Sequence, residues 1–488
     1  MNHPIPGYFA AATLLLTAWV STGVASESLT GAWIGNLRIP EGPELRVGLE
    51  FFERADGSQW ANVSSPDQGA RYMPVEQLDF DNDGFAARIL GVPVVISGRL
   101  TDTDQLEGQF RQGDSSFSLT FRRVAAVPEI VRPQIAGLAQ VTEEEVRIHN
   151  PEDNVWLSAT LTLPGAAGED SPAPAVLLLA GSGPADRDAY HSGHRPLKVL
   201  AHALTESGFA TLRADKRGVL KSSGEFDALA LQDFADDAAA ALRFLQGRAD
   251  VDAERLGIIG HSEGSLVAAM VVSQIPDLKF IVSLSGPGQP AMEVLIDQDG
   301  RELLAAGASP REAEILRAFA RRYYRAAQDA GSESERRLAL QSMYDALEGE
   351  DARVVSQGSR GTLGVEFASR DSFARFLRSD PREAWRQVTE PAVLLIAGGK
   401  DVQVQAEKNL GAMEDALGKG GNPGVTVRTF PQVNHMMQTA ATGGLEEYGQ
   451  IEESFAPGVA ACIAEWLQRQ SGIQPSGTMR SDCTRPEG

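Results

Sequence analysis

The 488-residue sequence predicts an α/β fold: a mostly parallel sheet of eight strands that carries a helical insertion and follows a small all-β domain. Two observations predict it. From Thr142 onward, apolar segments rich in β-branched residues alternate with helical patterns, which is typical of a parallel sheet covered by helices on both faces. Before Val124, short alternating segments are separated by turn signals such as Asp56-Gly57, which indicates a meander barrel or a sandwich.

The elements divide the chain into seven segments. We expect a signal peptide at 1–25, the all-β domain at 26–124, a linker at 125–141, the first part of the α/β core at 142–286, a helical cap at 287–390, the second part of the core at 391–470 and a polar tail at 471–488. The insertion would lie over the carboxyl ends of the strands, where ligands bind in open α/β sheets. The alternative is a solvated helical appendage.

The amino-terminal segment predicts export to the periplasm or the medium. The apolar run Tyr8–Val20 precedes small residues at Gly23 and Ala25, which fit cleavage after Ala25. An uncleaved membrane anchor is the alternative, and no later segment is long and apolar enough to span a membrane. In an oxidising compartment the two cysteines, Cys462 and Cys483, could pair, although two free thiols remain an alternative.

Composition restricts the class of partner. The formal net charge is −22, which argues against nucleic acid or an anionic membrane surface as the partner. A hydrophobic content of 42% over this length allows a large buried core. We therefore expect a small-molecule partner, and the sequence leaves the oligomeric state open.

One pentapeptide predicts the nucleophile. A β-branched apolar run leads into Gly260-His261-Ser262-Glu263-Gly264, and an Ala/Val-rich helical segment follows. Small residues on both sides of a serine, at a strand-to-helix turn, expose its hydroxyl above the sheet. His261 adjoins the nucleophile, but neighbouring side chains diverge on such a turn, so we expect it to pack or hydrogen-bond.

The downstream sequence offers one acid and one base. Asp401 follows an apolar strand that begins at Pro391, and His435 follows a strand that begins at Val425. His435 is the only one of seven histidines after Ser262, so the order nucleophile, acid, base leaves no other choice of base. His435 would take the proton of Ser262, and Asp401 would hold the imidazole in the required tautomer. The alternative is a chance match.

The oxyanion of such a reaction needs two N–H donors. The first is expected to be the backbone N–H of Glu263, the residue after the nucleophile. The second is expected from the loop after the third strand of the α/β core, with Ser182 as first choice and Gly183 as second. Because the loop is rich in glycine, its backbone can approach closely, although a plain turn would look the same.

Other polar residues receive structural interpretations. His191 and His194 lack an accompanying ligand set, so neither a metal nor a cofactor is expected. Asp233, Asp236 and Asp237 lie on a predicted helix and are expected to form a solvated face. In Asp215-Lys216-Arg217-Gly218 we expect a partly buried ion pair between Arg217 and Asp215 or a nearby carboxylate, bracing the loops around the site, with a charged turn as the alternative.

Five separated motifs together resemble the bacterial α/β-hydrolases of the esterase and serine-aminopeptidase-like group, over roughly residues 142–470. They are Ala180-Gly181-Ser182-Gly183-Pro184-Ala185-Asp186-Arg187-Asp188, Arg213-Ala214-Asp215-Lys216-Arg217-Gly218, Gly260-His261-Ser262-Glu263-Gly264, Gly398-Gly399-Lys400-Asp401-Val402-Gln403-Val404 and Asn434-His435. The resemblance implies an α/β-hydrolase fold with carboxylesterase-like activity, often behind an exported β-domain. Many relatives carry a second glycine two residues after Lys-Arg-Gly, where this chain has Leu220.

The sequence therefore predicts a serine hydrolase that cleaves carboxylic esters of small molecules through an acyl-enzyme. Two alternatives stay open. A serine aminopeptidase or amidase would use the same triad, and a catalytically silent binding protein would use the same fold.

Overall fold

A computed structural model of the chain describes residues 29–39, 42–80, 83–89, 92–138, 141–226, 231–358 and 361–473. The predicted signal peptide at 1–25 lies outside the described residues. In the part of the chain that is described, no helix combines the length and the apolar character needed to cross a membrane.

The first nine strands form one antiparallel sheet. They are β1 (Gly31–Arg38), β2 (Glu44–Glu53), β3 (Gln59–Ser65), β4 (Ala70–Met73), β5 (Val75–Phe80), β6 (Gly84–Ile89), β7 (Val94–Asp102), β8 (Gln105–Gln112) and β9 (Ser115–Val124). Their order is β4-β3-β2-β1-β9-β8-β7-β6-β5. Pro74 alone joins β4 to β5, the two edges of this order, so the sheet must curl until its edges approach each other. Of the two predicted forms, the order therefore favours the meander barrel.

The barrel encloses a compact apolar core. Side chains from different strands point into this core, and the fully buried ones include Trp33, Leu49, Ile96 and Phe121. The sequence does not predict β4, because its four residues are all only partly buried and show no alternation. A strand with no buried face leaves no period-two signal.

The remaining eight strands form the predicted mostly parallel sheet. They are β10 (Thr142–Asn150), β11 (Val155–Leu163), β12 (Ala173–Leu179), β13 (Ala210–Ala214), β14 (Val251–His261), β15 (Phe280–Leu284), β16 (Ala392–Gly398) and β17 (Val425–Phe430). Their order is β10-β11-β13-β12-β14-β15-β16-β17. Pairs β10–β11 and β11–β13 are antiparallel and the others are parallel. The predicted fold class is thus confirmed.

Fourteen α-helices lie in the described residues. They are α1 (Pro133–Ala136), α2 (Pro196–Glu206), α3 (Leu231–Gln246), α4 (Glu263–Val271), α5 (Ala291–Ala305), α6 (Pro310–Asp329), α7 (Glu333–Asp345), α8 (Gly349–Gly358), α9 (Val365–Ala368), α10 (Asp371–Phe376), α11 (Pro381–Arg386), α12 (Ala406–Gly420), α13 (Leu445–Tyr448) and α14 (Pro457–Gln470). Apolar side chains of α3, α4, α11 and α12 cover one face of the second sheet, and those of α2 and α14 cover the other. Both faces are buried, which explains the continuous apolar runs of the central strands.

Helices α5 to α11 form the insertion between β15 and β16. Helices α5 to α10 share an apolar cluster of their own, centred on Leu316, Tyr323, Tyr324 and Phe373, all fully buried, whereas Trp385 of α11 packs on the second sheet. Helix α6 begins at a capping box, in which Ser309 and Glu312 each accept the backbone N–H of the other residue. The insertion is therefore helical, as the sequence predicts.

The barrel contacts the second sheet through loops that follow β12 and β13. The backbone N–H of Ala55 donates to the carbonyl of Lys221 (2.7 Å), and the rings of Tyr72 and Tyr190 meet edge to face at 5.4 Å. Leu220, in the position where relatives carry glycine, has a φ of +45°, a region that a leucine adopts at a cost. Its side chain lines a cleft together with Phe51 and Tyr72 of the barrel.

The carboxyl-terminal helix carries the first cysteine. Cys462 in α14 is buried and disulfide-bonded. Cys483, the one other cysteine of the sequence, lies outside the described residues.

Candidate active site

Ser262 lies at a sharp turn between β14 and α4. Its φ of 53° and ψ of −121° are strained for a residue with a side chain, and its N–H donates to the carbonyl of Leu284 (2.8 Å). The flanking glycines are required by close backbone contacts. A Cβ on Gly260 would lie 2.1 Å from the carbonyl oxygen of Gly264, and one on Gly264 would lie 2.6 Å from that of Ala180. The turn therefore has the form that the pentapeptide predicts.

Asp401 and His435 meet at the carboxyl ends of β16 and β17. Nδ1 of His435 lies 2.8 Å from Oδ2 of Asp401, and both side chains are buried. The other carboxylate oxygen accepts the backbone N–H groups of Gln403 (2.9 Å) and Val404 (2.8 Å). This arrangement fixes the carboxylate and leaves Nε2 as the imidazole nitrogen that can accept a proton.

The environment keeps Asp401 ionised. Burial alone would raise its pKa, but the adjacent His435 and the hydrogen bonds it receives outweigh burial, so the pKa lies below its ordinary value. A carboxylate that stays charged can stabilise an imidazolium on His435 as it forms.

His261 supports the base through the backbone. Its Nε2 lies 2.8 Å from the carbonyl oxygen of His435, and the two rings are 4.9 Å apart. Burial, followed by the neighbouring His435, lowers the pKa of His261 to about 3, so its ring is neutral and donates to that carbonyl. The side chain hydrogen-bonds, as expected from the sequence.

The loop after β12 passes beside the nucleophile. A Cβ placed on Gly181 would lie 3.1 Å from the Cβ of Ser262. Ser182, the predicted second oxyanion donor, is the next residue, and Gly183 follows with a φ of +89°. Glu263, the predicted first donor, is the first residue of α4, where the N–H groups have no partner within the helix. The assignment of both donors remains a prediction.

The three charged side chains of the motif after β13 pair with different partners. Asp215 accepts two hydrogen bonds from the Arg187 side chain (3.0 and 2.9 Å). Arg217 donates to both carboxylate oxygens of Asp237 (2.7 and 2.8 Å) and also pairs with Asp153 and Asp233, so nearby carboxylates, and not Asp215, are its partners. The expectation of a solvated acidic face is wrong for Asp237, which is only 7% exposed. Since Arg217 neutralises it, its burial is tolerated.

His194, in the 191–194 turn, is held by two hydrogen bonds. The Nδ1 of His194 lies 3.0 Å from the Ser454 hydroxyl, and its Nε2 lies 3.0 Å from the carbonyl oxygen of Tyr448. Within the described residues, no three His, Cys, Asp or Glu side chains are grouped so as to hold a metal ion.

Buried histidines make the stability of the fold depend on pH. Burial lowers the pKa of His194 to about 4 and that of His261 to about 3, against 6.5 for a free imidazole. The unfolded chain therefore binds more protons below pH 6.5, and stability falls as the pH falls from there towards 4. Each histidine should contribute about 1.4 kcal/mol per pH unit to the slope of the unfolding free energy.

We expect His261→Gln to remove one of these contributions. The glutamine amide can still donate to the His435 carbonyl but does not titrate. Denaturant unfolding should therefore show a slope that is shallower than in the unmodified protein below pH 6.5, by a difference approaching about 1.4 kcal/mol per pH unit near pH 5. An unchanged slope would show that His261 does not remain neutral on folding.

Comparison with known proteins gives similarities to hydrolases. Residues 153–415, a range that contains Ser262 and Asp401 and ends before His435, match the model of the X-Pro dipeptidyl-peptidase (S15) family. Esterase EstD of Thermotoga maritima is 25% identical over 317 residues, which are 65% of this chain and 65% of that protein.

Two solved structures are more distant. Esterase Pf2001 of Pyrococcus furiosus is 18% identical, with a TM-score of 0.39 over 70% of this chain and 98% of its own. The acylaminoacyl peptidase of Pyrococcus horikoshii is 13% identical, with a TM-score of 0.42 over 89% of this chain and 63% of its own.

The strand order, the turn at Ser262 and the family match, which covers more than half of the sequence, agree with one another. The chain is an α/β-hydrolase that belongs to the X-Pro dipeptidyl-peptidase (S15) family.

Proposed function

We propose that this protein hydrolyses carboxylic esters of small molecules through an acyl-enzyme on Ser262, with His435 as the base and Asp401 as the residue that orients it. The contact that carries the proposal is the 2.8 Å hydrogen bond between Asp401 and His435. Both residues follow strands of the sheet that also positions Ser262, in the order nucleophile, acid, base along the chain.

The proposed reaction has two steps. Ser262 Oγ attacks the ester carbonyl while Nε2 of His435 takes its proton, and the proton then passes to the departing alkoxide. Water, deprotonated by the same nitrogen, attacks the acyl-enzyme, and the acid is released as the proton passes from Nε2 to Ser262 Oγ. The N–H groups of Glu263 and Ser182 would stabilise the oxyanion in both steps.

The helical insertion is proposed to act as a cap over this site. Arg301 of α5 supports this, because its guanidinium donates to the backbone carbonyl of Asp401 (2.9 Å). The insertion therefore contacts the loop that carries the proposed acid, at the carboxyl edge of the sheet.

The partners of several carboxylates in the insertion support esters, rather than peptides with a free amino terminus, as the substrates. An aminopeptidase holds the α-ammonium of its substrate, usually with a carboxylate beside the pocket. In this insertion the Tyr324 hydroxyl donates to the buried Asp299 (2.7 Å), and several further carboxylates pair with other side chains. Those with a side-chain partner are Asp297, Glu312, Glu314, Asp345 and Glu366.

A serine peptidase or amidase with the same triad is the second candidate. The description of the matched family, X-Pro dipeptidyl-peptidase, favours it. Cleaving an amide requires a better proton donor to the leaving amine than an ester requires, with His435 in that role in either case.

The substrate proposal predicts a ranking of rates. On one preparation, p-nitrophenyl acetate or butyrate should be hydrolysed with a kcat/KM at least about 100-fold higher than that of aminoacyl p-nitroanilides, since the amine needs the greater acid assistance. The reverse ranking, with loss of anilide hydrolysis on neutralising one carboxylate of the insertion, would establish the peptidase. No turnover of either class would indicate a binding protein.

We also propose that the protein is exported, with residues 1–25 as the signal. The apolar segment Tyr8–Val20 supports this. The disulfide at Cys462 agrees with this proposal, because disulfides persist in oxidising compartments.

A further inference from the structure

One lysine contacts both segments that carry the proposed oxyanion donors. Lys216 follows β13, and its side chain is only 12% exposed. Its ammonium donates to the backbone carbonyl of Gly181 (2.7 Å) and to Oε1 of Glu263 (2.9 Å). Its own backbone N–H donates to the carbonyl of Ala185 (3.3 Å). This one residue therefore holds both ends of the 181–185 loop and the first residue of α4.

The Gly181 carbonyl is significant because it belongs to the same peptide unit as the Ser182 N–H. A trans peptide is planar, and its C=O and N–H point in opposite directions. Fixing the carbonyl on an ammonium therefore fixes the direction of the N–H. Gly181 has no side chain to restrict the rotation of this peptide.

The second contact acts at the other donor. The Glu263 carboxylate is almost completely buried, and Lys216 is its ion-pair partner. The pair links the start of α4 to the 181–185 loop, so the two donors keep their separation. A hydrogen bond to the ammonium also polarises the Gly181–Ser182 peptide and makes its N–H a stronger donor.

We propose that Lys216 is a positioning residue that aims the Ser182 N–H and fixes its spacing from the Glu263 N–H. The inference rests on the proposed function, since it concerns the oxyanion of that reaction. Lys216 touches neither the substrate nor the reacting atoms, and it acts through the two peptide units.

A purely structural lysine would give a different pattern of effects. The ammonium lies 4.5 Å from the centre of the Phe234 ring, and Leu157 and Ala238 line the same cavity. Lys216→Met keeps the unbranched stem in these apolar surroundings. It removes the charge and the N–H donors, and so leaves the buried Glu263 carboxylate without its ion-pair partner. If Lys216 were only structural, this variant would change the melting temperature and would leave the rate of the folded protein unaltered.

The test is a comparison of Lys216→Met with the unmodified protein on p-nitrophenyl acetate. We expect kcat to fall by about 10- to 100-fold, less than the loss of a whole oxyanion donor, with KM within about threefold. A trifluoromethyl ketone, whose adduct with Ser262 carries the oxyanion, should bind more weakly by a similar factor. Inhibition by the product acid should be unchanged.

Three further variants make the result specific. Lys216→Arg keeps the charge and should retain more activity than Lys216→Met, and Lys216→Gln replaces the latter if it fails to fold. Lys198→Met removes a lysine of α2 that is 27% exposed and pairs with Glu143 of β10 (3.1 Å), and it should leave kcat unaltered.

Unaltered kcat and ketone affinity in folded Lys216→Met would overturn the inference while the proposed function stands. An unmodified protein that neither hydrolyses esters nor reacts at Ser262 would overturn both.

Discussion

Ser262→Ala should lower the rate of ester hydrolysis by about 10⁵- to 10⁶-fold, because the proposed mechanism has no covalent intermediate without this hydroxyl. The fold should persist, since alanine is smaller than serine and the turn is held by the Ser262 N–H and by the flanking glycines. The measurement is the initial rate on p-nitrophenyl acetate, beside a thermal melt of the same sample.

Ser273→Ala is the matched control. Ser273 is exposed just after α4 and donates to the carbonyl of Met270 (3.0 Å), so its loss should leave the rate unaffected. Near-normal turnover by Ser262→Ala would reject this serine as the nucleophile, and equal losses in both variants would point to damage to α4.

Asp401→Asn should lower kcat by about 10⁴-fold with a small change in KM, because it alters which nitrogen of His435 carries the proton. The amide oxygen can keep the bonds from the Gln403 and Val404 N–H groups, which turns the NH₂ group towards Nδ1. Nδ1 must then accept, so Nε2 carries the hydrogen and cannot take the proton of Ser262.

The control for this variant is Asp415→Asn on the exposed surface of α12, where the carboxylate pairs with Lys419. It makes the same chemical change away from the site and should keep the full rate. An Asp401→Asn variant with ordinary kcat would mean that another group orients His435.

The central strands of the second sheet could be predicted because they are apolar runs with a turn or a helix on either side, and β10 could be predicted from its alternating burial. The candidate triad could be predicted because Ser262, Asp401 and His435 each follow such a strand, and the parallel order brings those ends together. Features that leave no periodic pattern in the sequence could not be predicted. Four-residue β4 has no buried face, and it occupies an edge of the barrel.

Ion pairs between residues far apart in the sequence could not be predicted either. Asp237 looks like a solvated helical residue, but Arg217 reaches it from the loop after β13. Lys216 meets Gly181 and Glu263, residues 35 and 47 positions away, and no spacing in the sequence predicts such contacts. The Asp-Lys-Arg-Gly motif signalled a brace near the site, and the positions of its three charges came from the structure.

The most direct test of the proposed mechanism is the location of a covalent adduct. The unmodified protein is treated with a fluorophosphonate, digested and analysed by peptide mass spectrometry. We expect one phosphonylated peptide with the modification on Ser262, and no labelling when His435 is replaced by alanine, because the hydroxyl is then not activated. An adduct on a different serine, or labelling that persists without His435, would contradict it.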